Sequence, residues 1–202
     1  MRGVSEQDYE RLLDQGWIAY RNDDTASSID YASQASTSAP RDGRGWYLLG
    51  CALERDQQLI AADRAFRKAQ HAEIDAHIPP FRVSWRRFER AVSSAADALP
   101  SELSVALTEV HLVLVNYPAP NQLPNDEEIE ILGCFEGAPR ADLVEAAGDP
   151  ESVPRIHLFR RPHEHATTSG WEFDQEVRRT LYHELGHYLG FDEDDMVRFG
   201  LD

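Results

Sequence analysis

The chain has 202 residues, 42% hydrophobic and 28% charged, a balance that excludes wholesale disorder and allows one compact domain plus a small accessory unit. Acidic residues outnumber basic ones 36 to 20, and a formal charge of -16 repels phosphate backbones and anionic lipid, so no nucleic-acid or membrane partner is expected. No apolar run approaches the ~18 residues of a membrane span, the first residues are too polar for a signal peptide, and Cys51 and Cys134 show no CxxC spacing. A cytoplasmic protein with reduced thiols is expected, in which any metal is held by histidines and carboxylates.

Self-comparison of the first 75 residues reveals a period of 34: Gly16 returns at Gly50, Ala35 at Ala69, and Leu12 aligns with Trp46. The spacing predicts helices near 6–20, 24–37, 43–54 and 58–72. With Trp46, Leu49, Gly50, Ala62, Phe66 and Ala69 at the packing positions and Pro40 closing the first copy, residues 1–76 resemble a pair of tetratricopeptide repeats. Repeats of this kind bury their apolar faces only against neighbours. The stripe Trp85, Phe88, Val92, Ala95 and Leu99 predicts a helix ending at Pro100 that shields the second copy. Trp46, Phe66 and Trp85, aromatic residues at helical spacing, are expected in the core.

After Pro100 the pattern becomes that of strands. Glu109 to Val115, Ile129 to Phe135 and Arg155 to Phe159 are rich in β-branched and aliphatic residues and predict three of them. The acidic run Asp126-Glu127-Glu128 reads as a solvated loop and Cys134 as a buried thiol. A helix is expected from about Phe173 through Leu189, stopped by Gly190. The order of helices, strands and helix gives an α+β domain over residues 77–202.

On that last helix, His183 and His187 project from one face a turn apart, so both imidazoles can reach one zinc ion at ~2.0–2.1 Å. Leu181 and Leu185 lie about 160–200° round the wheel and face the core. Glu184, on the flank of the histidine face, is placed for a general base that takes a proton from a metal-activated water and passes it to a leaving amine. If the chain reverses at Gly190, an acid of the run Asp192-Glu193-Asp194-Asp195 can return as third ligand.

The segment from Arg178 to Asp194, with His183-Glu184-Leu185-Gly186-His187 at its centre, resembles the minimal zincin family of bacterial metallopeptidases, whose pattern is HExxHxxGxx followed by an acid. Phe88 to Val92, Val110 to Val115, Leu132 to Gly137 and Ile156 to Phe159 extend the likeness over about residues 80–202. The resemblance implies a small sheet packed on the active-site helix, zinc held by His183, His187 and Glu193, and hydrolysis of a peptide or protein substrate. This chain departs from the family in carrying Glu193 where Asp is usual and Tyr188 where a second His is frequent. Asp192 and Asp194 therefore stay open as ligands.

Two functions follow as expectations. One is a zinc-dependent endopeptidase with Glu184 as base, its substrate laid as an added strand beside Ile156–Phe159. The other is an adaptor whose repeats bind a protein partner and whose zinc site is structural or idle. His163-Glu164-His165, in the loop before the helix, reads mainly as surface pairs with a further ligand or oxyanion donor as the alternative; Tyr182 and Tyr188 read as packing residues with solvated hydroxyls rather than groups that polarise a carbonyl, and Met196 as a core or surface residue.

Overall fold

The computed structural model describes residues 5–122, 131–146 and 148–199, with the side chains of Glu102, Pro120, Glu193 and Phe199 outside the description. Its contacts divide the chain into two units, Met1–Pro80 and Phe81–Asp202.

In the first unit Ser5, Asp24 and Asp42 accept backbone N–H groups two or three residues onward. These caps start helices α1 (Glu6–Arg21), α2 (Thr25–Ser38) and α3 (Gly43–Arg55), and α4 (Leu59–Gln70) follows. The turn between α1 and α2 recurs between α3 and α4. Asp23 (φ 59°) and Gln57 (φ 61°) both take the left-handed conformation, and the next residue donates to the carbonyl five back in each: Asp24 to Ala19 at 2.9 Å, Gln58 to Leu53 at 2.8 Å. The 34-residue spacing of the sequence thus recurs in this turn of the backbone. Ala32, Ala35, Leu48 and Phe66 are buried between the helices. Trp46 is only half-buried; its indole N–H donates to the Pro40 carbonyl and the Lys68 ammonium lies 3.8 Å above its ring.

The second unit is α+β. It contains α5 (Trp85–Asp97), α6 (Ser101–Leu107), strands β1 (His111–Val115), β2 (Gly133–Glu136) and β3 (Arg155–Phe159), then α7 (Arg160–Ala166), α8 (Gly170–Leu189) and α9 (Glu193–Phe199). The sheet order is β1-β3-β2, with β1 parallel and β2 antiparallel to β3. Alternation along the strands puts Leu112, Leu114, Phe135, Ile156 and Leu158 on one face, where they pack in a core with Phe88, Phe173, Val177, Leu181 and Leu185. The long helix α8 lies in that core.

Several expectations are corrected here. The stripe on α5, expected to cover the repeats, packs within the second unit: Phe88, Ala91, Val92 and Ala95 are buried in its core, and the Phe88 ring meets Phe173 at 6.1 Å. An apolar stripe states that a helix needs cover without stating which, and the aromatic surface of α8 supplies it. Trp85 remains 37% exposed, outside the core. Ile129, Glu130 and the run Asp126-Glu127-Glu128 lie outside the described residues, and the described strand there begins at Gly133. The segment containing His163-Glu164-His165 is helical rather than loop, and α7 is one of three seven-residue helices, too short to show a period.

Phe88 is fully buried, so Phe88→Ala should lower the stability of the second unit by about 3–5 kcal/mol. In urea unfolding followed by hydrogen exchange, protection of α8 should fall while that of α1 to α4 is kept. A loss confined to α4 would return α5 to the repeats.

Candidate metal centre

Helix α8 is started by Ser169, whose side chain accepts the Glu172 N–H, and stopped by Gly190 at φ 86°. Past its end the Phe191 N–H donates to the Gly186 carbonyl and the Gly190 N–H to the His187 carbonyl, both at 3.0 Å, the paired bonds of a Schellman stop. A side chain at 190 would strain that left-handed turn by ~1–2 kcal/mol. Glycine therefore reverses the chain directly after the histidines. Asp192 then caps α9, accepting the Asp195 N–H at 2.9 Å, and Met196 anchors it, fully buried in the core.

Between these ends, Leu181 and Leu185 are fully buried and hold the opposite face to the core. His183 and His187 are half-buried on the other side, and their Nε2 atoms approach to 3.0 Å with the ring planes at 85°. Two imidazole nitrogens on one tetrahedral cation stand about 3.3 Å apart. The pair thus fits a shared metal with little adjustment. Glu193, the expected third ligand, is the first residue of α9, and its side chain lies outside the described residues. Asp192 is engaged as the cap and Asp194 is exposed; among the described residues no group of three metal donors is gathered.

Glu184 is buried, 7% exposed, and β2 lies against it. A Cβ at Gly133 would stand 2.6 Å from Thr180 Cγ2, 2.8 Å from the His157 carbonyl oxygen and 3.3 Å from Glu184 Cγ, so only glycine allows this approach. The next residue, Cys134, has its thiol pushed up to about 12, first by burial and then by the carboxylates of Glu184 and Glu136. Both causes favour the protonated thiol over the nucleophilic thiolate. The tyrosines of α8 point away from such chemistry. Tyr188 is fully buried and its hydroxyl is not solvated: it donates to Glu109 at 2.6 Å, Arg140 donates to the same carboxylate at 2.7 Å, and burial with that carboxylate raises the phenol to about 12. Tyr182 packs near α5, its oxygen 3.5 Å from the Ala95 carbonyl.

His163 is fully buried on α7 and is not a second source of ligands. Its Nδ1–H donates to the Phe159 carbonyl at 2.7 Å, and Nε2 faces the Thr180 hydroxyl at 3.1 Å. Burial depresses its pKa from 6.5 to about 4, so the ring is neutral near pH 7. Glu164 beside it is also buried and accepts from Arg82, Arg161 and the Val83 N–H, tying the start of the second unit to α7. Sequence reasoning missed both roles, since a buried His and a surface His read alike without the third dimension.

Residues 107–201 match the model of the family described as zincin-like metallopeptidase. The stretch from β1 to α9, a little under half of the chain, is therefore similar to the zincin-like metallopeptidases. The matched stretch omits α5, although α5 fills the same core. No curated protein matches the chain. No described helix is long and apolar enough to cross a membrane.

The unfolded chain protonates His163 near 6.5 and the folded one only near 4, so its contribution to stability is full above about pH 6.5 and is lost as pH falls towards 4, on the order of 3 kcal/mol in all. Urea unfolding of the metal-free protein should show the stability gap between wild type and His163→Gln shrinking over that window. A gap that is constant with pH would contradict a neutral, buried His163.

Proposed function

We propose that this chain is a zinc-dependent peptidase in which His183, His187 and Glu193 hold the metal and Glu184 is the general base. The observation that carries the reading is the 3.0 Å convergence of the two Nε2 atoms, next to a buried carboxylate, in a domain matching a metallopeptidase family. Zinc bound there supplies Lewis acidity, polarising a carbonyl and making a water more acidic. The remaining chemistry belongs to the chain. Glu184 removes a proton from the attacking water and returns it to the departing amine. A Glu at 193 is longer than the usual Asp by one methylene and offers the same carboxylate chemistry.

Beside β3 there is no place for a substrate, because β3 is the central strand and both its edges are occupied by β1 and β2. The substrate strand expected there is reassigned to the outer edge of β2, which has no strand partner among the described residues and runs past Glu184. Backbone groups on such an edge pair with an extended peptide. A fully buried Cys51 and a protonated Cys134 thiol suit the reducing cytoplasm.

The backbone repeat of α1 to α4 favours reading the first unit as a pair of tetratricopeptide-like repeats that binds a protein partner. On this reading it recruits substrates, rather than leaving the metal centre idle.

Purified protein should hold about one zinc ion per chain. Glu184→Gln should keep that zinc while peptide cleavage falls about 10²–10⁴-fold, and His183→Ala should lose the zinc itself. Cleavage retained in Glu184→Gln would remove the base from the account.

A further inference from the structure

The turn of α8 that precedes Glu184 is gripped on two sides through a single residue, Thr180. On one side its Oγ1, which donates to the Glu176 carbonyl at 2.8 Å, lies 3.1 Å from Nε2 of the buried His163. His163 is in turn fixed by the Phe159 carbonyl at the end of β3. On the other side Cγ2 of Thr180 fills the space a side chain at Gly133 would need, and Gly133 is paired in register with Leu158 of β3. The contacts close a ring: β3 to α7, α7 to Thr180, Thr180 to β2, and β2 back to β3. Glu184 is four residues further along α8, on the same face, with its Cγ against the same glycine.

We propose that Thr180 is a positioning residue for Glu184. Its hydroxyl donates within α8 and packs against His163 of α7, and its methyl group sets how deeply the edge strand β2 seats on α8. That depth fixes the separation between the Glu184 carboxylate and the outer edge of β2, and hence the alignment of base and scissile carbonyl. The proposal rests on the peptidase reading above. Thr180 touches neither substrate nor metal on this account and acts only through the spacing of β2 and α8. Misplacement by about 1 Å can cost on the order of 10²-fold in rate, so one methyl group at this contact is enough to matter.

Thr180→Ser keeps the hydroxyl bonds and deletes only Cγ2, and Gly133→Ala pushes from the opposite side. In the zinc-loaded full chain each should lower kcat roughly ten- to a hundredfold at unchanged zinc stoichiometry and with KM within about twofold. The double variant should lose less than the product of the two single losses, because the added Cβ takes the room the methyl vacates and only its 2.8 Å approach to the His157 carbonyl oxygen remains. In the metal-free protein, hydrogen exchange of the β2 amides should quicken at least about tenfold in Thr180→Ser while the amides of β1 keep their protection. A kcat within twofold of wild type, or a loss that only follows loss of zinc, would overturn the proposal. If the wild type cleaves no peptide the peptidase reading fails, and the exchange measurement still decides the spacing role: unchanged β2 exchange in Thr180→Ser overturns it.

Discussion

The structure of the second unit depends on one constraint: two imidazole rings on adjacent turns of α8 must face the same point while the opposite side of the helix stays in the core. The rings meet at 3.0 Å between Nε2 atoms, and Leu181 and Leu185 beneath them are fully buried. Neither condition alone would place a metal. A helix free to rotate about its axis would lose the common focus, and a helix packed on the wrong stripe would bury the histidines. The surrounding elements act on this rotation. Phe173 and Val177 are clamped by α5, Tyr188 is tethered through Glu109 to Arg140, and Thr180 lies between α7 and β2.

The same constraint explains why glycines fall where they do. Gly190 lets the chain leave α8 in a left-handed turn, so that only three residues separate the end of α8 from the start of α9. Gly133 lets an edge strand come within van der Waals reach of α8 at Glu184. A site made from one helix would otherwise be bare on its flank. The fold supplies a strand edge there at the cost of one side chain.

Much of this was legible in the sequence because it is written in local periods. The i, i+4 spacing of His183 and His187, the leucines opposite them and the stop at Gly190 are all short-range, and the helices of the first unit carry a 34-residue period that the backbone repeats at Asp23 and Gln57. Partner choice was not legible. The stripe on α5 announced that it must be covered, yet Phe173 on α8, not a repeat, covers it. Strand order was equally hidden: β3 reads as one apolar run among three, and its central place depends on pairing with segments about forty and twenty residues earlier in the chain. His163 was read as a surface residue because it sits in a charged cluster, whereas Glu164 neutralises its arginine neighbours and the imidazole itself is buried.

The most direct test of this account is the coordination sphere of the zinc-loaded protein, read by zinc-edge X-ray absorption and by a crystal structure with the metal bound. The account predicts two imidazole nitrogens from His183 and His187 at ~2.0–2.1 Å, one carboxylate from the start of α9, and a fourth position left to solvent. A metal held by a closed set of four protein ligands, or one found away from His183 and His187, would contradict it.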